Sequence, residues 1–136
     1  MIILMLAAAP LAPPPELEVN VERLRNGRGL VHLCLTRNPA HFPDCGSDPG
    51  AVKRSVDARL RTPIRIAGIA PGAWALSVIH DENGNGKLDT MIGIPREGFG
   101  FSRNPTIRFG PPRFGQVRFD LGGGIARQTV RMQYLL

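Results

Sequence analysis

The feature that most limits how this chain can fold is its apolar pattern. Hydrophobic and polar residues alternate in short stretches, and glycine or proline ends each stretch before it reaches helix length. Leu17, Val19 and Val21 alternate with Glu16, Glu18, Asn20 and Glu22. A period of two is the signature of a half-buried strand, because successive side chains point to opposite faces. The pattern recurs at Val31, Leu33 and Leu35, then at Val52, Val56, Ala58 and Leu60, then at Ile64 and Ile66. Trp74, Leu76 and Val78 alternate with small residues and read as the central buried strand. Val117, Phe119 and Leu121, then Val130, Met132 and Tyr134, close the chain.

Turn signals sit between these stretches: Asn26-Gly27, Pro71-Gly72 and Gly122-Gly123-Gly124. Asn26-Gly27 predicts a hairpin between the first two strands. The 16 glycines and 13 prolines in 136 residues favour turns and short strands over helices. A chain of this length has room for one core. The expected fold is all-β: a single antiparallel β-sandwich of about seven strands, with one long irregular loop region over residues 81–114.

Residues 1–15 stand apart from the sandwich domain, residues 16–136. The run Met1 to Ala9 is apolar and ends in small residues, like the hydrophobic and cleavage regions of a secretory signal. Pro10 and Pro13-Pro14-Pro15 then form a linker that cannot pair regularly. A short buried strand is the alternative. At about a dozen residues the run is too short to cross a bilayer, and no other segment is a candidate, so the chain does not read as an integral membrane protein. Export points to a secreted, periplasmic or outer-surface protein. There Cys34 and Cys45 can pair as a disulfide; in a reducing compartment they would be two free thiols.

The net charge is +6, and all 17 basic residues except Lys53 and Lys87 are arginine. They are dispersed among apolar residues and read as solvated strand faces, which makes nucleic acid an unlikely partner. The other reading is an anion-binding arginine surface.

One stretch carries spacing that implies chemistry: His80-Asp81-Glu82-Asn83-Gly84-Asn85-Gly86-Lys87-Leu88-Asp89. Calcium takes oxygen ligands from alternate positions of a loop with a glycine at the sharp turn. Asp81, Asn83 and Asn85, the carbonyl of Lys87 and Asp89 occupy those positions, with Gly86 at the turn. Ile92 stands where an EF-hand needs a bidentate glutamate. The expected site is therefore a weak calcium loop between strands, at roughly 10⁻⁴–10⁻³ M. The same residues also suit tight turns without metal.

His80 beside Asp81 raises the possibility of a small hydrolase. However, neighbours on a strand face opposite ways, and no serine or cysteine is presented as a nucleophile. The bland reading of His80 is a packed histidine, and no catalytic residue is assigned. His32 falls on an outer face. Downstream, Phe99 and Phe101 alternate with glycines between Arg96 and Arg103. They form either a ligand surface, with aromatics for stacking and arginines for an anion, or the buried anchors of a folded loop.

Three blocks make the chain resemble a family of exported bacterial proteins named domain of unknown function 2141: His80 to Asp89, Gly93-Ile94-Pro95-Arg96-Glu97-Gly98-Phe99-Gly100-Phe101-Ser102, and Phe109-Gly110-Pro111-Pro112. The resemblance covers residues 16–136. It implies export and a transthyretin-like or immunoglobulin-like sandwich, and it implies no activity. The turn Ile69-Ala70-Pro71-Gly72-Ala73-Trp74 is similar to that of carboxypeptidase-regulatory-type sandwiches, which are accessory modules. The combined expectation is a secreted, non-enzymatic binding or structural module, with calcium as its possible cofactor. Its partner would be an extracytoplasmic glycan, lipid or protein.

Overall fold

The computed structural model describes residues 2–8, 13–60, 62–86, 90–91, 94–95, 97–108 and 110–136. The fold is all-β, as the alternation predicts. Strands β1 (Glu16–Glu22), β4 (Ile64–Ala67) and β10 (Ile125–Arg131) form a three-stranded sheet in the order β10-β1-β4. Strands β2 (Leu30–Thr36), β3 (Val52–Asp57), β5 (Gly72–Asp81) and β8 (Gly98–Phe101) run β3-β2-β5-β8 in the second sheet. β9 (Phe119–Leu121) pairs with the start of β5. A separate two-stranded ribbon joins β6 (Thr90–Met91) to β7 (Ile94–Pro95).

The apolar residues of the alternating segments meet between the two sheets. Leu17, Val19, Ile66 and Val130 from one sheet and Val31, Leu33, Leu35, Trp74, Leu76 and Val78 from the other are all buried in one cluster. The Trp74 indole nitrogen donates to the Ala70 carbonyl at 2.9 Å, so its one polar atom is satisfied inside the core.

Three expectations need correcting. The first two strands do not form a hairpin: β1 pairs with β4 and β10, and β2 pairs with β3 and β5. The Asn26-Gly27 segment is a crossover between sheets. Gly29 lies so close to the chain ahead of it that a Cβ would sit 2.0 Å from the Asp81 carbonyl oxygen. The sandwich is also not wholly antiparallel, because β1 and β10 pair in parallel from Glu16↔Ile125 to Glu22↔Arg131. These strands come from the two ends of the domain, so no tight turn constrains their relative direction.

Third, the region after Asp81 contains a strand. β8 reads Gly-Phe-Gly-Phe, and it pairs with β5 at Ser77↔Phe101 and Ile79↔Phe99. Its inner face is glycine, so the expected apolar residue is missing from one side of the pattern. The glycines give way to larger neighbours: a Cβ on Gly98 would lie 2.4 Å from the Tyr134 ring, and one on Gly100 2.5 Å from Val130. β8 also meets the segment after β10, where Phe99 and Gln133 exchange backbone hydrogen bonds of 3.0 and 2.8 Å. The side chain of Asn104 continues this seal. It donates to the Thr129 carbonyl at 2.7 Å and accepts from the Arg131 amide at 2.8 Å, in the manner of a neighbouring strand.

A second cluster lies on the outer face of the larger sheet. Ala75, Phe99, Phe101 and Val117 are buried there beneath Phe42, Ile107 and Phe114. Helix α1 (Phe114–Val117) and the loop over residues 37–51 form its cover. Cys34 and Cys45 are joined in a disulfide that ties this loop to β2, as the cysteine pairing predicts. A closed loop of this size contributes about 2–3 kcal/mol in the chain-entropy picture.

Candidate functional site

The end of β5 sends three successive side chains in three directions. The inward position is occupied by His80, which is fully buried. Its Nε2 lies 2.7 Å from the Arg28 carbonyl and its Nδ1 2.7 Å from the Tyr134 hydroxyl. A carbonyl only accepts, so Nε2 carries a proton, and in the neutral ring Nδ1 accepts from Tyr134. The Tyr134 oxygen in turn accepts the Arg25 amide at 3.2 Å. Both ring nitrogens are therefore committed to holding the crossover and the C-terminal segment together. The packed reading of His80 fits this geometry, and an acid–base role does not.

Glu82 lies just beyond the strand and gathers the other side of the crossover. It accepts from Arg25 Nε at 2.7 Å, Asn26 Nδ2 at 3.2 Å and Arg28 Nη2 at 3.2 Å. Burial pushes its carboxyl up, but the hydrogen bonds from Asn26 and Arg25 and the Arg25 charge leave it below the usual glutamate value.

Asp81 points to the outer face, and its carboxylate is fully buried. One oxygen, Oδ2, accepts the Gly86 amide at 2.7 Å and meets His32 Nε2 at 2.8 Å. The other, Oδ1, accepts the Asn85 amide at 3.2 Å. Burial pushes this carboxyl up; the hydrogen bonds from His32, Gly86 and Asn85 outweigh it and hold the group below the usual aspartate value. Asp81 is thus ionised at neutral pH. The loop wraps onto it through Gly84 and Gly86, at φ 68° and 77°, which glycine adopts without a Cβ penalty. Asn83 Oδ1 also accepts the Asn85 amide, at 3.2 Å.

Of the calcium ladder, the structure thus gathers Asp81, Asn83 and Asn85 in one turn. Lys87 and Asp89 lie outside the described residues, as do Leu88 and Ile92. Among the described residues, no group of three or more His, Cys, Asp or Glu side chains is placed to hold a metal.

The residue that meets Asp81 is His32, on the neighbouring strand β2. An ionised carboxylate cannot donate, so His32 Nε2 carries the proton. In the neutral ring Nδ1 is then the acceptor for Ser55 Oγ at 2.7 Å, from strand β3. Ser55, His32 and Asp81 thus form one continuous hydrogen-bonded line across three adjacent strands. Sequence reasoning placed His32 on an outer face but missed the line. Its members are 23 and 49 residues apart, and only the strand registers His32↔Ser55 and Leu30↔Asp81 bring them together.

The glycine-aromatic segment is placed differently from the ligand-surface expectation. Phe99 and Phe101 are buried, with ring contacts of 6.1 Å to each other and 5.8 Å from Phe101 to Phe42. They are anchors beneath the disulfide loop, the second of the two readings, because that loop and α1 cover the face onto which alternation turns them. Arg103 reaches the Gly115 and Arg118 carbonyls at 3.4 Å each, at the ends of α1. Arg96 lies outside the described residues.

Among the described residues no helix is long and apolar enough to cross a membrane. A model of a bacterial family, DUF2141, described as an uncharacterized protein conserved in bacteria, matches residues 19–129. No curated protein and no solved structure matches the chain.

Proposed function

The chain belongs to the DUF2141 family of bacterial proteins, and from that premise we propose that it is an extracytoplasmic binding module. Its working surface is the polar end of the larger sheet's outer face, formed by Asp81, His32, Ser55 and the turn that follows Asp81. The observation that carries this reading is the buried Asp81 carboxylate, held by two backbone amides, which fixes a partly exposed histidine at the surface. A solvated strand face needs no such arrangement, and burying a charge is costly unless hydrogen bonds repay it. Export is supported by the Cys34–Cys45 disulfide, since disulfides persist in oxidising compartments. It is supported too by the signal-like leader, whose Ile2, Leu4, Met5 and Leu6 lie exposed rather than packed on the sandwich. Kinship with transthyretin-like or immunoglobulin-like sandwiches belongs to the same proposal.

Calcium is the ligand of the turn in this reading. What supports it is the spacing of Asp81, Asn83 and Asn85 and the positive φ of Gly86 at the sharp turn. Oδ1 of Asp81, with its single longer hydrogen bond, is the oxygen that can turn to an ion while Oδ2 stays with His32 and Gly86. The Lys87 carbonyl and Asp89 would complete the set. Titration calorimetry with calcium is expected to give a dissociation constant of roughly 10⁻⁴–10⁻³ M. Millimolar calcium should raise the melting temperature over that in chelator, and Asp81→Asn should abolish the difference. Equal melting temperatures for the unmutated protein in calcium and in chelator would remove calcium from the proposal.

A further inference from the structure

We propose that Ser55, His32 and Asp81 form a nucleophile–base–orienter array that takes an acyl group from a carboxylic ester onto the Ser55 hydroxyl and releases it to water. This deepens the binding reading by giving its polar surface a substrate class, and it does not depend on calcium.

Nucleophile and base must be in hydrogen-bond contact, and a third group must fix the base's orientation. Ser55 Oγ to His32 Nδ1 is 2.7 Å, and His32 Nε2 to Asp81 Oδ2 is 2.8 Å. The Gly86 and Asn85 amides hold the carboxylate in place from behind. In the neutral ring this arrangement leaves Nδ1 without a proton and facing the serine hydroxyl. The line resembles a Ser-His-Asp triad with the two ring nitrogens exchanged, and such arrays are recognised by geometry rather than by chain order.

The strand ladder adds one more group. The Ala58 amide donates to the Gly29 carbonyl at 3.1 Å, which makes that rung of the β2–β3 pair a hydrogen-bonded one. Rungs alternate, so His32↔Ser55 is a non-hydrogen-bonded rung. That brings the two side chains close and turns the Ser55 amide outward. β3 is the terminal strand of its sheet, with no described strand beyond it. The Ser55 N–H therefore points to the open edge, beside its own hydroxyl, where it can donate to a developing oxyanion. Ser55 is exposed on this face, so the array fits an ester with an accessible carbonyl rather than a ligand that must be enclosed.

In the forward step Ser55 Oγ bonds to the carbonyl carbon and its proton passes to His32 Nδ1. The ester C–O bond then breaks, and the leaving alkoxide takes that proton. Water next attacks the acyl-serine, gives a proton to Nδ1, and the proton returns to Ser55 Oγ as the acid departs. Asp81 stays ionised throughout as the positioning residue.

The test uses the full chain, a biotinylated alkyl fluorophosphonate and p-nitrophenyl acetate. The internal comparison is Ser47, an exposed serine whose hydroxyl lies 3.1 Å from His41 Nδ1. No carboxylate is hydrogen-bonded to the His41 ring among the described residues. Peptide mass spectrometry is expected to find Ser55 labelled at least tenfold faster than Ser47. His32→Gln should slow that labelling by about 10²-fold, the usual scale of a general base. Asp81→Asn should slow it at least tenfold, and Ser55→Ala should end nitrophenolate release. Labelling of Ser55 no faster than Ser47, or undiminished in folded His32→Gln protein, would overturn the proposal. Labelling without ester turnover would overturn the release step. An inert Ser55 in a protein that keeps its calcium-dependent melting shift removes this inference and leaves the binding reading standing.

Discussion

Replacing Gly98 or Gly100 with alanine is expected to destabilise the fold by about 1–3 kcal/mol per site, the usual cost of overpacking. The added methyl group has no room at either position. At Gly98 it meets Tyr134, whose hydroxyl is already bound to His80 and to the Arg25 amide, so the ring cannot swing away without breaking that chain. At Gly100 it meets the fully buried Val130, with Met132 Sδ at 3.1 Å and the Arg131 carbonyl at 3.3 Å behind it. Gly115→Ala is the control, because among the described residues nothing beyond its own helix and chain neighbours lies within 4 Å of the added Cβ. Urea denaturation should show lower midpoints for the first two variants and an unchanged midpoint for the third. Equal midpoints for all three would mean that β8 does not pack against β10 as described.

The second large effect separates the two histidines. His80→Leu should cost about 2–5 kcal/mol, because it leaves the Arg28 carbonyl and the Tyr134 hydroxyl without their partner in the interior. His32→Gln should cost about 1 kcal/mol or less. Its side chain is 28% exposed, and the glutamine amide can still donate to Asp81. Thermal or urea unfolding of both variants decides the matter. If His32→Gln proved the more damaging, the assignment of His80 to structure and His32 to the surface would be reversed.

That contrast also shows what the sequence could reveal. The alternation of Leu17, Val19 and Val21 located β1 to the residue, and that of Trp74, Leu76 and Val78 located the buried core of β5. Both were legible because one face of each strand is uniformly apolar. β8 was illegible because its inward residues are glycines, chosen for the bulk of Tyr134 and Val130 opposite, more than 25 residues along the chain. The β1–β10 pairing was illegible because parallel pairing between the two ends of a domain leaves no turn signal.

The same logic applies to the site. Asp81 stood out through its own loop, because spacing within a loop is local information. Adjacency offered His80 as its companion, and strand alternation already argued against that pair. The pleat sends His80 to the core and Asp81 to the outer face, where His32 waits on the next strand. Ser55 had no local signal at all: it is one polar residue on an exposed edge strand. The glycine-aromatic segment and the turn after Asp81 now have separate tasks. One closes the sandwich under the disulfide loop, and the other holds a carboxylate against a histidine.

The central claim is that the turn after Asp81 fixes the orientation and tautomer of His32. Long-range ¹H–¹⁵N correlation spectroscopy of the imidazole rings at neutral pH tests it most directly. The account predicts that neutral His32 is held as the Nε2–H tautomer, with Nδ1 showing the shift of a hydrogen-bond acceptor. It further predicts that Asp81→Ala converts the ring to an averaged mixture of tautomers. An Nδ1–H tautomer, or averaging already present in the unmutated protein, would contradict it.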